Sequence, residues 1–321
     1  MSVLLTPEVI ILFIEDILLL GFNTIAVVIA YRIYKNFDLN NTSNKQYTLE
    51  KQTYLASYII KFSLYLKIIS FLFFVFTLDK LSNIIPGAMC AVGVTTASDY
   101  GIYLLLFKML NIYLYGFWLL INNNDMKRED FLFTKIKFKY FLFIYFFFIV
   151  ELVIQSLYFF DINPQELVSC CGTVFNDVST SAIGLLAQLP NTITLPLFYL
   201  VFVLLVITTI KKRVMLNGVL NFIFILISIT TLISFFGTYV YELPTHRCPF
   251  CLLQSDYFYV GYLMYTLLFI GTFYGIANSF LKTLIKLPLN YCRISLIFNT
   301  TYIVLVSIYP IRFYFVNGVW L

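Results

Sequence analysis

Continuous apolar runs long enough to cross a bilayer recur eight times along these 321 residues, at about 8–31, 54–78, 101–121, 140–160, 182–210, 218–241, 258–281 and 294–316. Crossing roughly 30 Å of hydrocarbon at a rise of 1.5 Å per residue takes about 20 residues. Each run is apolar throughout rather than alternating, so helices are expected, and a helix satisfies its own backbone in lipid. The expected fold is an all-α polytopic integral membrane helical bundle, a single transmembrane domain over residues 1–321. Composition agrees: 61% of residues are hydrophobic and only 12% charged, against about 25% charged in soluble domains. No basic stretch precedes the first run, and Glu15 and Asp16 interrupt it. It reads as a retained anchor rather than a cleaved signal.

Orientation follows from the basic residues. Arg32, Lys35, Lys45, Lys51, Lys127, Arg128, Lys135, Lys137, Lys139, Lys211, Lys212, Arg213, Lys282, Lys286 and Arg293 all fall at one set of alternate loops, whereas the other set holds Lys80, Arg247 and Arg312. Positive-inside then places both termini outside, in a multi-pass protein of a bacterial-type inner or plasma membrane. The net charge of +5 expresses this topology. Short basic caps on every second loop do not form a phosphate-tracking surface, so no nucleic acid is expected, and the expected surroundings are a lipid bilayer.

Five of the six cysteines sit on the outward side of this map: Cys90 after the second run, Cys170 and Cys171 after the fourth, Cys248 and Cys251 after the sixth. Cys292 is inside. Disulfides persist in an extracytoplasmic compartment, and an odd number of outward thiols leaves one over or joins all five in another kind of site. The most specific local pattern is Cys248-Pro249-Phe250-Cys251, just ahead of the seventh run. If the motif opens a helix, the positive end of the helix dipole favours thiolate. Proline suits a first helical turn. Three readings stay open for this pair: a plain disulfide staple, a redox pair, and a soft-metal site. His246, the one histidine of the chain, and Met89 add further candidate ligands to Cys90, Cys170, Cys171, Cys248 and Cys251 for copper or another soft metal ion.

The run from His246 to Gln254 resembles the membrane thiol oxidoreductases of the DsbB and vitamin K epoxide reductase type, in which Cys-x-x-Cys is followed three positions on by a polar residue, here Cys248, Cys251 and Gln254. The resemblance implies electron exchange between Cys251 and a membrane quinone, with Gln254 near the cofactor; the family core has four helices, whereas this chain has eight runs. It also implies that Cys248 exchanges with a second pair, Cys170 and Cys171, which passes disulfides to a thioredoxin-like extracytoplasmic protein. The implied function is a membrane thiol–disulfide oxidoreductase with an outward-facing cysteine site. Soft-metal binding or transport through the same outer-loop residues is the alternative.

Charges within the apolar runs are a second signal. Glu15, Asp16, Lys108 and Glu151 are expected at similar depth in their spans, with Lys67 near the middle of the second. Such residues face partners or cavities, so either ion pairing between helices or a polar chamber that relays protons or passes a cation is expected. Pro190 and Pro196 predict a kinked or broken fifth span, and Gly271 with Gly275 a close helix contact in the seventh. The chain has no phosphate-binding glycine loop, no dinucleotide fingerprint and no histidine pair for haem, which disfavours ATP-driven transport by this chain alone and b-type cytochrome function. A seven-span receptor is disfavoured by the eighth run.

Overall fold

A computed structural model describes residues 3–38, 43–127, 132–168, 189–285 and 291–321. Among them, eight helices are long and apolar enough to cross a membrane. They are α1 (Pro7–Asn36), α2 (Asn44–Leu81), α3 (Gly101–Asp125), α4 (Thr134–Asp161), α5 (Asn191–Ile210), α6 (Val214–Tyr241), α7 (Val260–Ile285) and α8 (Tyr291–Asn317). No strand occurs among the described residues. The chain is a multi-pass helical membrane protein. Its outward faces confirm the solvent: on α1, Ile11, Ile14, Ile17, Leu18 and Ile25 are each more than half exposed, a stripe that only lipid accommodates.

The helix ends have local causes. Ser43 caps α2, its hydroxyl accepting a hydrogen bond from the Gln46 amide, which satisfies one orphan donor of the first turn. The fifth helix starts at Asn191, not near 182 as expected. Pro190 is extended, with φ −65° and ψ 127°, and lies outside the helix; only Pro196 lies within it, so one proline rather than two interrupts the ladder. Residues 182–188 of the expected span lie outside the described residues. Late in α6, residues Leu232–Phe236 form a π-helical turn.

The chain divides into two compact units. The first comprises Met1–Pro86 and Val94–Glu166, the second Gly87–Gly93 and Leu167–Leu321. Unit 1 contains α1 to α4. Its core interleaves Ala26, Ala30 and Ile33 of α1 with Ala56, Ile60 and Leu64 of α2, against Trp118 of α3 and Phe138 and Phe141 of α4. Alanines on two facing helices allow close approach, and the bulk comes from the aromatics opposite. Unit 2 contains α5 to α8, with α7 packed against both α6 and α8. A Cβ built on Gly271 would collide with the Asn299 amide, and one on Gly275 with the Asn221 amide. The expected close contact on α7 is thus a pair of glycine notches that receive asparagines. Phe198, Phe224, Phe236 and Tyr302 fill the rest of the interior, Phe198 stacking on Phe224 at 5.5 Å.

Candidate thiol site and the buried polar networks

The Cys248–Cys251 loop leaves α6 through Glu242, a non-glycine residue at φ 55° that ends the helix abruptly. It is then held by phenols from the helices on either side. Tyr241, the last residue of α6, donates its hydroxyl hydrogen to the Cys248 carbonyl, and Tyr265 of α7 donates to the Pro249 carbonyl at 2.7 Å. Each phenol buries its ring and spends its polar tip on a loop carbonyl that would otherwise be an unpaired acceptor in an apolar interior. Neither tyrosine was singled out from the sequence; the available signal was a tyrosine at the end of one span and another in the first turns of the next, bracketing the motif.

Cys90 reaches the same place from far away in sequence. Its segment, Gly87–Gly93, belongs to unit 2. Gly87 adopts φ +84° where a Cβ would meet the Val168 carbonyl oxygen at 2.6 Å, so both its handedness and its lack of side chain are used. Gln254 then donates its amide hydrogen to the Met89 carbonyl at 3.3 Å. The result is a triangle of sulfurs. Cys90 Sγ lies 3.6 Å from Cys248 Sγ, and the sulfurs of Cys90, Cys248 and Cys251 all lie within 4.8 Å of one another. The three residues are 0%, 1% and 5% exposed.

Of the expected site residues, the structure therefore joins Cys90, Cys248 and Cys251, with Gln254 tying the two loops. Met89 turns its side chain outward, 76% exposed, and takes part through its carbonyl. The ring of His246 packs edge-on against Tyr241 at 4.3 Å and is not a member of the three-sulfur group. Its Nε2 is buried without a hydrogen-bond partner. Cys170 and Cys171 lie outside the described residues. Cys292 is on α8, its sulfur accepting from the Asn278 amide at 2.8 Å.

The motif does not open a spanning helix. Cys251 begins a short 3-10 turn, Cys251–Leu253, followed by another, Ser255–Tyr257. Phe258 and Tyr259 are both left-handed at φ 55°, immediately before α7 begins at Val260. The motif therefore lies ahead of α7 in two short turns, not within its first turn as expected. Two consecutive non-glycine left-handed residues cost roughly 1–2 kcal/mol each. The contact of Gly261 with Leu252, too close for any Cβ, keeps the turn pressed onto α7. Beside the sulfurs, the Tyr257 phenol is held above the ordinary tyrosine range, first by burial and then by the nearness of Cys251 and Asp256. It stays a hydrogen-bond donor.

The charges within spans meet in unit 1. Lys67 of α2 pairs with Asp16 of α1 and lies 3.6 Å from Glu151 of α4; Lys108 of α3 pairs with Glu151 at 2.7 Å. Asn111 and Tyr115 donate to Glu151 at 2.5 and 3.2 Å, and Gln155 donates to Asp16 at 2.6 Å. Every helix of the unit contributes, so the inter-helix ion pairing expected from sequence is what the structure holds. A second buried pair, Lys137 with Asp125 at 2.7 Å, sits where α3 turns into α4. There Asp125 also accepts from the Phe133 amide and the Thr134 hydroxyl. In unit 2 the interior polar groups are neutral: Asn221 donates to Asn217 and accepts from Ser295 at 3.1 Å and Asn299 at 2.9 Å. This amide ladder was missed from the sequence. Its signal is three pairs at i, i+4 inside apolar spans: Asn217 and Asn221, Gly271 and Gly275, Ser295 and Asn299.

No family model, curated protein or solved structure matches the chain.

Proposed function

We propose that this protein is a membrane thiol–disulfide oxidoreductase whose reactive centre is Cys248 and Cys251 with Cys90 as the exchanging third thiol. The observation that carries the reading is the 3.6 Å separation of the Cys90 and Cys248 sulfurs beside a Cys-x-x-Cys pair. Thiol–disulfide exchange needs three sulfurs within reach: one attacks, one is attacked, one leaves. From a Cys248–Cys251 disulfide, attack by the Cys90 thiolate on Cys248 forms the Cys90–Cys248 bond, breaks the Cys248–Cys251 bond and releases Cys251 as thiolate. The reverse transfer restores the pair. Closing Cys248–Cys251 from two thiols releases two electrons and two protons, for which a membrane quinone is the acceptor in this reading. The orphaned Nε2 of His246 and the aromatic wall of Tyr241 and Tyr257, 4.6 Å apart, suit a flat ring bearing a carbonyl oxygen. The four-helix size of unit 2 also accords with the family that the motif resembles. In the same reading Cys170 and Cys171 pass disulfides to a thioredoxin-like protein outside a bacterial-type inner or plasma membrane.

One observation favours a second reading. Three buried sulfurs all within 4.8 Å of one another suit a trigonal soft ion such as Cu(I), which thiolates select over harder metals.

The two readings separate in one preparation. Protein purified without reductant is alkylated, mapped by mass spectrometry and assayed for bound metal. A Cys248–Cys251 or Cys90–Cys248 disulfide without metal, together with loss of disulfide transfer in Cys248→Ser and Cys251→Ser, is the expected result. Unaltered turnover in both variants sinks the oxidoreductase. Reduced, alkylation-protected cysteines with one equivalent of copper establish the second reading.

A further inference from the structure

The charged network of unit 1 has one carboxylate too many. Glu15, Asp16 and Glu151 face Lys67 and Lys108, and among the described residues their other hydrogen-bond partners are neutral: Ser70 of α2, Asn111 and Tyr115 of α3, Gln155 of α4. With all five ionised, the interior of a spanning unit would hold a net negative charge, which is costly at low dielectric.

The geometry shows which group bears the imbalance. Asp16 has an ammonium partner and an amide donor; Glu151 has two ammoniums, an amide and a phenol. Glu15 has one neutral donor, the Ser70 hydroxyl on Oε2 at 2.6 Å, while its Oε1 is buried with no partner. Two more acceptors of the network, Asn111 Oδ1 and Gln155 Oε1, are also buried and without a donor, on side chains 0% and 1% exposed. What is lacking is positive charge and a donor together.

We propose that this network is a binding site for one monovalent cation, a proton, carried by the Glu15 carboxyl. Asp16 and Glu151 are 6% and 3% exposed, deep in the unit, whereas Glu15 lies at its lipid margin, next to Ile14 at 53% and near Leu18 at 58% exposed. An apolar reagent dissolved in lipid reaches an acid in that position before the deeper carboxylates. A carbodiimide is such a reagent. The acid's oxygen bonds to the central carbon of the carbodiimide while its proton moves to a carbodiimide nitrogen, and the adduct rearranges to an N-acylurea with every atom retained.

The intact protein in detergent is treated with dicyclohexylcarbodiimide near neutral pH and its peptides are mapped by mass spectrometry. Glu15 is expected to be labelled, Asp16 and Glu151 not, with labelling that declines as pH is raised and is indifferent to sodium at fixed ionic strength. Glu15→Gln, isosteric with the acid form, is expected to abolish the label and to melt at the wild-type temperature. Absence of label on Glu15, or label that moves to Glu151, overturns the proposal. Protection by sodium at constant pH overturns the proton in favour of a metal cation, and a lowered melting temperature in Glu15→Gln shows that the group is held as an anion.

Discussion

The two units cover similar lengths of chain and have the same number of spanning helices, yet their interiors obey different rules. Asp16, Lys67, Lys108, Asp125, Lys137 and Glu151, the buried charged residues among those described, all belong to unit 1. The buried polar residues of unit 2 among those described are threonine, serine and asparagine, beside the buried Cys90, Cys248 and Cys251. Lipid gives helices no hydrophobic reason to associate, so polar groups and close packing must hold them together. Unit 1 does this with ion pairs, which are strong when complete and severe when broken. Unit 2 does it with amides seated in glycine notches, which are individually weak. The difference places the three clustered sulfurs in the unit with no buried charged residue among those described, and charge balance as the controlling variable in the other.

The sharpest way to break the comparison is to remove one member of the charged network. Glu151→Leu leaves Lys108 without the carboxylate 2.7 Å from it and strips the phenol and amide of their acceptor. The expected loss is about 3–5 kcal/mol, the cost of an uncompensated buried charge, seen as collapse of the folded fraction in detergent unfolding. A loss under about 1 kcal/mol would mean that water reaches the network and that its charges are not buried in the energetic sense. The matching insult in unit 2 is steric. Gly271→Val drives a branched side chain into the Asn299 amide and is expected to cost about 1–3 kcal/mol, the range for overpacking. Should it exceed the Glu151 variant, the ranking of the two strategies is reversed.

Sequence legibility divides along the same line. The eight spans were readable because each apolar run is long and continuous; the misplaced start of α5 came from treating Pro190 as interior when its extended backbone puts it outside. Cys248 and Cys251 were readable from spacing. The meeting of Cys90 with Cys248 spans 158 positions and depends on the left-handed Gly87 and on Gln254, neither of which has a local signature for that contact. The motif does not open α7 because two short turns and the left-handed Phe258 and Tyr259 intervene, and nothing in Cys-Pro-Phe-Cys reveals them. Adjacent Glu15 and Asp16 looked equivalent as charges in a span. One helical step of about 100° separates them into an ion-paired interior group and a marginal one, and which way the helix faces is decided by packing. Nor did hydropathy distinguish two units, since both halves are equally apolar along their spans.

The smallest predicted effects form a matched pair. Ser295→Ala removes one hydroxyl donor from Asn221, which keeps the Asn299 amide at 2.9 Å; a neutral hydrogen bond between spanning helices contributes about 0.6 kcal/mol, and a loss of that size is expected by equilibrium unfolding in detergent. Ser70→Ala removes the hydroxyl that donates to Glu15, the same chemistry in the charged unit. With Glu15 in its acid form this too is a bond between neutral groups, so the two variants are expected to agree within about 0.5 kcal/mol, near the scatter of independent sites. Were Glu15 an anion, Ser70 would be its one donor, and its loss would cost the roughly 1.5–3 kcal/mol typical of a hydrogen bond to a charged group. Equal costs confine the energetic difference between the units to the six paired charges Asp16, Lys67, Lys108, Asp125, Lys137 and Glu151. Unequal costs extend it to Glu15 and remove the site for the proton.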